Sequence, residues 1–288
     1  MWEWRLYGCP KRESEMPIAE PVAFEVRNLA PRIGSEIVMD VKTLLSGACS
    51  AQIRALLEER GVVAIRGLNL TDDQQIAFTK TIGTIVEEKA FKITMDPREN
   101  PVAEYIKGAF YWHIDGTMGN VPIFASLMSS RKLSDTGGQT EFSNTYAAYD
   151  DLPEAEKVAL EELKVVHMFE VAQRYVQPEP SHELLKSWQT FQPNILPLVW
   201  THRSGRKSLV LGSTASHVEG MDLREGWALL TRLRDYATQP QFVYRHEWTL
   251  GDLVIWDNTG TMHRALAYAM DSGRMMHRTT LAGEESFT

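Results

Sequence analysis

Apolar residues recur at helical spacing in four segments of the chain, and these segments predict four helices. In residues 49–60 the apolar side chains share one helical face, and Gly61 follows as a common helix stop. Thr71 followed by two aspartates is typical of a helix start, and Pro153 is typical of a first helical position. The predicted helices span residues 49–60, 71–83, 153–163 and 222–237.

The other apolar residues form short runs separated by Gly, Pro and Asn, a pattern typical of strands. Many short strands of this kind indicate a barrel or a sandwich with helices outside it. We therefore predict a mainly β fold with flanking helices, and the absence of repeats and long linkers favours one domain. The predicted strands span residues 62–65, 123–127, 163–167, 209–211, 242–248, 253–256 and 274–281.

Composition and charge exclude several classes of protein. The chain has 288 residues, with 30 Lys and Arg against 38 Asp and Glu, so its net charge of −8 argues against nucleic-acid binding. Cys9 and Cys49 form no CxxC motif and cannot build a disulfide framework, which favours a reducing cytoplasm. No apolar run approaches the ~20 residues of a membrane span, and charges interrupt the first residues, so we expect neither a membrane anchor nor a secretory signal.

Two histidines and an aspartate are candidate metal ligands. His113 and Asp115 are two residues apart, so in an extended strand their side chains point the same way and can reach one metal. His263 follows the predicted buried strand 253–256, which places it at the mouth of a barrel. Taken singly, the pair is also compatible with a surface polar pair, and His263 with a hydrogen-bonded core histidine.

Two arginines near the C-terminal end point to an anion. Arg274 and Arg278 share one face if residues 274–281 form a strand. An arginine that faces inward is costly unless it meets an anion, and its planar fork matches a carboxylate. The alternative is that both arginines lie on the solvent side of the strand.

Four motifs in order along the chain together resemble the TauD/TfdA family of Fe(II)- and 2-oxoglutarate-dependent dioxygenases. They are WHIDGT at 112–117, GGQT at 137–140, GDLVIWDNTGTMHRA at 251–265 and RMMHRTT at 274–280. The resemblance implies a double-stranded β-helix, or jelly-roll, core. It also implies one dioxygenase domain over residues 22–288, with residues 1–21 as an N-terminal extension.

The same resemblance assigns roles to individual residues. His113, Asp115 and His263 match the catalytic iron ligands, a two-histidine, one-carboxylate set that leaves coordination positions open. Arg274 and Thr140 match the residues that hold the far carboxylate of 2-oxoglutarate. Cofactor-site roles are also implied for Arg278, as a second arginine that meets either 2-oxoglutarate or the substrate, and for Trp256, which lines the site.

The implied activity is hydroxylation of a small organic substrate, with O2 as oxidant and 2-oxoglutarate converted to succinate and CO2. Hydroxylation beside a heteroatom would give oxidative cleavage. Two alternatives remain open: another oxidative outcome, such as desaturation in natural-product biosynthesis, and a jelly-roll sensor that binds metal without turnover.

The substrate pocket is predicted from aromatic residues near the motifs. Residues 170–198 contain four prolines and are predicted to be a loop-like variable segment, either a lid or a surface excursion. Whether the substrate is anionic and whether the chain forms a homo-oligomer are left open. The candidate pocket residues are Phe91, Phe110, Tyr111, Tyr175, Trp188 and Phe191.

Overall fold

The computed structural model describes residues 5–7 and 24–287, and strands outnumber helices in this part of the chain. Residues 1–4, 8–23 and 288 lie outside the described part of the chain, and Cys9 is among them. The strands are β1 Arg5–Tyr7, β2 Phe24–Asn28, β3 Ser35–Ile37, β4 Val62–Ile65, β5 Phe91–Ile93, β6 Ala125–Lys132, β7 Thr140–Asn144, β8 Lys164–His167, β9 Asn194–Pro197, β10 Val199–Thr201, β11 Lys207–Leu209, β12 Ala215–Val218, β13 Val243–His246, β14 Leu253–Asp257, β15 Thr261–Ala265 and β16 Met275–Leu281.

Helices lie between the strands and begin and end at residues suited to those positions. Thr71 caps the helix Asp72–Ile82 in a capping box with Gln74, and Gly61 ends the helix Ser50–Arg60 with a φ of 72°. Two 3-10 helices span Ala103–Phe110 and Pro240–Phe242. The α-helices are α1 Val41–Leu45, α2 Ser50–Arg60, α3 Asp72–Ile82, α4 Thr145–Asp150, α5 Glu154–Leu160, α6 Phe169–Val176, α7 His182–Trp188 and α8 Leu223–Ala237.

The strands form one large sheet and three smaller ones. The large sheet has the order β1-β2-β3-β4-β14-β6-β16-β5, and a three-stranded sheet has the order β13-β7-β15. The remaining sheets have the orders β12-β8-β9 and β10-β11. From β4 onward, neighbouring strands in the large sheet come from distant parts of the chain, as in a jelly roll, which confirms the predicted fold class.

Alternation along the strands gives the large sheet two apolar faces. Val63 and Ile65 on β4 pack against the side of the sheet that carries α2 and α3. Val62 and Ala64 point the other way and join Phe142 of β7 in a second core cluster, which lies between the large sheet and the β13-β7-β15 sheet. The site described below lies at one end of this second core, because His263 and Trp256 both contact the Phe142 ring.

Most predicted elements are confirmed, and their ends differ by a few residues. Pro153 precedes α5 as its cap and is not its first residue, and the predicted strand 123–127 begins at Ala125 and runs on to Lys132. The predicted strand 209–211 instead ends at Leu209. The domain limits proposed for residues 1–21 and 22–288 stay a prediction.

The prediction that residues 170–198 are loop-like is wrong, because the segment contains most of α6 and all of α7. Ser181 caps α7 by accepting a hydrogen bond from the Leu184 N–H at 3.2 Å. Pro178 and Pro180 lie between the two helices, where they interrupt neither. Whether the segment moves as a lid stays a prediction. Within the described ranges, no helix has the length and apolar character needed to cross a membrane.

Candidate active site

His113 and His263 are joined through their backbones. The His113 N–H donates to the His263 carbonyl at 3.1 Å, and the His263 N–H donates to the His113 carbonyl at 2.9 Å. This is an isolated bridge, and Asp115 lies in the turn that follows it, so the extended strand predicted for His113 and Asp115 does not form. Both side chains nevertheless point to the same side, and the chain then turns at Gly116, which has a φ of 89°.

The three predicted ligand side chains converge. The Nε2 atom of His113 lies 3.7 Å from one Asp115 oxygen, and the Nε2 atom of His263 lies 3.8 Å from the other. Ligand atoms of all three residues lie within 4.8 Å of one another. The His113 Nδ1 atom donates to the Tyr111 carbonyl at 2.8 Å. The Nε2 atom therefore has a free lone pair, which can bind a metal on the side where Asp115 lies.

Burial and nearby charges prepare these groups to bind a cation. Burial lowers the pKa of His263 to about 3, with a further contribution from His113, so this imidazole is neutral at ordinary pH. Burial alone would raise the pKa of Asp115, but Arg278 and the two histidines outweigh it and hold that pKa below its usual value. Two imidazoles and one carboxylate on one side form the facial set that non-haem iron uses.

Asn258 fixes the backbone of the aspartate. Its Oδ1 atom accepts from the Asp115 N–H at 3.0 Å, and its Nδ2 atom donates to the Asp115 carbonyl at 2.6 Å. The side chain is fully buried at the end of β14. Asn258 lies within the motif GDLVIWDNTGTMHRA, but its role was missed, because the sequence does not show which backbone groups its amide reaches.

The ligand set opens onto a cavity of about 500 Å³ with mainly apolar walls. The β-sheets contribute one wall, and the 3-10 helix 103–110 together with α6 contributes another. Besides the three candidate ligands, the residues that line it are Phe91, Ile93, Val102, Tyr105, Ile106, Gly108, Ala109, Phe110, Ile114, Gly116, Thr117, Met118, Met128, Thr140, Phe169, Ala172, Gln173, Ser213, Thr214, Trp256, Ala265, Tyr268, Arg274 and Arg278.

Arg274 is a buried cation in this cavity. Only 3% of its surface is exposed, and its Nη2 atom donates to the Gly138 carbonyl at 2.9 Å. Its guanidinium also lies 4.7 Å from the centre of the Tyr268 ring. Among residues 24–287 no carboxylate pairs with it, and burial lowers its pKa. A guanidinium in this position is costly unless an anion enters the cavity.

Thr140 and Arg278 are the other predicted polar residues of the cavity. Thr140 lies at the start of β7, and its Oγ1 atom accepts from the indole N–H of Trp248 at 2.9 Å. The Nη1 atom of Arg278 lies 3.2 Å from Asp115, and its guanidinium is 5.8 Å from the centre of the Phe91 ring. Both predicted arginines therefore face the cavity and not the solvent side of the strand.

Trp256, which was predicted to line the site, is buried on β14 with its ring centre 4.9 Å from that of His263. His277, on the opposite face of β16, binds Asp72 at 2.6 Å and lies outside the cavity. Side chains alternate between the two faces of β16, so His277 points away from the cavity that Arg278 lines.

Two of the six aromatic residues predicted for the substrate pocket line the cavity. Phe91 and Phe110 line the cavity, but Tyr111, Tyr175, Trp188 and Phe191 do not. Tyr111 turns away and stacks on Tyr175 with ring centres 4.8 Å apart.

The other two aromatic residues of the 170–198 segment are occupied elsewhere. Trp188 is 3% exposed and packs inside the fold, whereas Phe191 is 53% exposed and contacts the outer side of Phe169. From this segment the cavity receives Ala172 and Gln173, which were not predicted. Helical spacing explains the difference, because on α6 these two residues and Phe169 share one face.

Comparison with known proteins gives the family. The family model described as "Taurine catabolism dioxygenase TauD, TfdA family" matches residues 25–280. The chain is 35% identical over 267 residues to an alpha-ketoglutarate-dependent 2,4-dichlorophenoxyacetate dioxygenase of Burkholderia sp. (strain RASC), covering 83% of this chain and 89% of the relative. It is 30% identical over 280 residues to an (S)-phenoxypropionate/alpha-ketoglutarate-dioxygenase of Sphingobium herbicidovorans, covering 91% of this chain and 96% of that relative.

The fold agrees with that assignment. The crystal structure of AAD-2 in complex with Mn(II) and N-oxalylglycine superposes with a TM-score of 0.80 and 32% sequence identity, covering 92% of this chain and 99% of that chain. The four motifs, the jelly-roll core and the converging His-Asp-His set therefore have one explanation. The chain belongs to the TauD/TfdA family of Fe(II)- and 2-oxoglutarate-dependent dioxygenases.

Proposed function

We propose that this chain oxidises a small organic anion with an apolar body, using His113, Asp115 and His263 to hold Fe(II). The observation that carries the proposal is that this ligand set lines the same cavity as the Arg274 guanidinium, which pairs with no carboxylate among residues 24–287. A metal centre beside a buried cation suits a co-substrate that chelates the metal at one end and is anionic at the other. 2-Oxoglutarate has this form.

The donor set fits Fe(II) on chemical grounds. Imidazole and carboxylate are ligands that divalent iron accepts, and three of them on one side leave positions for other molecules. Bound Fe(II) would supply the activation of O2 and the oxidising power of the reaction. The chain supplies the Nε2 atoms of the two histidines and, through Asn258, a fixed backbone position for Asp115.

Arg274 and Thr140 are proposed to hold the far carboxylate of 2-oxoglutarate. The guanidinium offers a planar fork that matches two carboxylate oxygens. Because the Thr140 oxygen already accepts from Trp248, its own hydroxyl hydrogen remains available for a second acceptor. Two donors on the same wall would orient the keto acid so that its keto end faces the ligand set.

Arg278 is proposed to meet the charged end of the substrate. It lies between the carboxylate of Asp115 and the ring of Phe91, so it joins the metal site to an apolar wall. The walls of the same cavity include Phe110 and Ile106, which suit an aromatic or aliphatic body. The two curated relatives are named for phenoxy acids, which have this combination of a carboxylate and an aromatic ring.

An anaerobic titration with Fe(II) and 2-oxoglutarate, followed by a succinate assay with phenoxyacetate and short alkyl sulfates, tests the proposal. The titration is expected to give a visible charge-transfer band that His113→Ala abolishes. Arg274→Ala is expected to weaken 2-oxoglutarate binding while the metal is retained. No band in the wild type, or succinate formation that no organic anion stimulates, would contradict the proposal.

A further inference from the structure

Gln173 presents a free amide inside the cavity. The residue is 8% exposed, and it lines the cavity from α6. Among residues 24–287 its side chain has no hydrogen-bond partner; its backbone carbonyl accepts from the Gln177 N–H at 2.9 Å and continues the helix. Because the residue lines the cavity, a ligand or water there can satisfy the amide.

Two threonine hydroxyls that line the cavity already have hydrogen-bond partners. Thr117 and Thr214 share a hydrogen bond at 2.9 Å, and Thr214 also bonds His167 at 2.8 Å. Burial lowers the pKa of His167 to about 4, so this chain of groups is uncharged. The free hydrogen-bonding capacity of Gln173 therefore stands apart from this network.

The position of Gln173 is set by α6 and by the apolar residues beside it. Phe169 and Ala172 share its helix face and line the same cavity. The ring of Phe169 lies 6.1 Å from that of Tyr105 on the 3-10 helix, so the wall around the amide is largely aromatic and aliphatic. The next residue, Arg174, points to a separate groove on the outer side of α6.

We propose that Gln173 is a specificity-determining residue that binds an uncharged hydrogen-bonding group, such as a hydroxyl or carboxamide, on the apolar body of the substrate. This inference rests on the proposed function, because it takes the cavity to be the substrate site. The amide can donate and accept, so it suits a group that does both. The charged end of the substrate is left to Arg278, which is contributed by β16 on a different wall.

Matched ligands test the inference. They are phenoxyacetate and the three isomers of hydroxyphenoxyacetate that carry the hydroxyl on the ring. Their dissociation constants are measured by the change in tryptophan fluorescence, since Trp256 lines the cavity. In the wild type at least one hydroxylated isomer is expected to bind roughly tenfold more tightly than phenoxyacetate. Gln173→Met, of similar size, is expected to remove this preference while phenoxyacetate binding stays within about twofold.

Arg174→Met is the matched control, since it changes the neighbouring residue on the outer side of α6 and is expected to keep the wild-type preference. Gln173→Asn is a second variant, which keeps the amide on a shorter side chain and is expected to give an intermediate preference. No preference for any isomer in the wild type, or an equal preference in Gln173→Met, would overturn the inference. A Gln173-dependent preference in binding without succinate formation would instead contradict the proposed function alone.

Discussion

Trp248 donates its indole N–H to the hydroxyl oxygen of Thr140 at 2.9 Å, just where β7 enters the cavity. Trp248 does not line the cavity itself. It therefore acts on the site through Thr140, because it decides which way the threonine hydroxyl can donate.

Replacing Trp248 by Phe is expected to raise the KM for 2-oxoglutarate about three- to tenfold, since the Thr140 hydroxyl loses the donor that orients it. Steady-state kinetics with varied 2-oxoglutarate measure this, and kcat is expected to change less than KM. Trp227→Phe is the control, because Trp227 is 56% exposed on α8, away from the site. An unchanged KM in Trp248→Phe would remove Trp248 from the account of 2-oxoglutarate binding.

Asn258→Ala is expected to lower metal affinity about 10- to 100-fold, because both hydrogen bonds to the Asp115 backbone are lost. Calorimetric titration with Mn(II) measures the affinity without turnover. Urea unfolding of the metal-free variant serves as the control for a general loss of stability. Wild-type affinity in a variant that is folded would show that Asp115 keeps its position without Asn258.

Gly138→Ala is expected to weaken 2-oxoglutarate binding about tenfold or more, since a Cβ atom there would lie 2.8 Å from the Arg274 Nε atom. Gly138 also has a φ of 77°, so the variant carries backbone strain as well. Gly205→Ala is a matched control, because Gly205 has a φ of 82° and no atom lies within 4 Å of the place where its added Cβ would be. Equal effects of the two variants on the KM for 2-oxoglutarate would contradict the steric argument.

Asp252 is expected to make the fold sensitive to acid. Burial would raise the pKa of this carboxyl, but hydrogen bonds from His246, Thr249 and Arg66 outweigh it and hold the pKa well below its usual value. The stability that Asp252 provides is therefore present above its unfolded pKa of 3.8 and is lost as the pH falls below about 4. Asp252→Asn is expected to cost about 3–5 kcal/mol at pH 7 and to flatten the acid limb of a urea-unfolding series.

Asp257 is expected to have the opposite pH dependence. Burial raises its pKa from 3.8 to about 6, although it accepts hydrogen bonds from the Thr259 N–H and hydroxyl. The unfolded chain therefore loses its proton first, and folding stability falls by up to about 3 kcal/mol as the pH rises from about 4 to 6. Asp257→Asn is expected to recover part of this lost folding stability at pH 8, as measured by urea unfolding. A gain that stays constant down to pH 4 would contradict the assignment.

The residues that the sequence predicted well lie in short continuous motifs. His113 and Asp115 sit in one such motif, and Arg274 and Arg278 in another, so their relative placement depends on a few neighbouring residues. The fold class was predictable for a similar reason, since short apolar runs such as those of β4 and β14 are a local property of the sequence.

The opposite wall of the cavity was not predictable in this way. Tyr105 and Gln173 come from a 3-10 helix and from α6, and their approach depends on packing between segments distant in sequence. Aromatic content alone pointed to Tyr175 and Trp188, but helical spacing and packing turn these two away from the cavity. Hydrophobicity identifies residues that will be buried, and it does not tell which cavity or core they will face.

The reciprocal backbone bridge between His113 and His263 links two points that are 150 residues apart in sequence, 263 minus 113. A contact between residues this far apart in sequence costs chain entropy that the folding of the intervening segments must offset. The binding site for the metal therefore belongs to the folded chain and is not preformed in the unfolded one. By mass action, a metal held there would favour the closed barrel over partly folded chains, so metal supply would add directly to the lifetime of the folded enzyme.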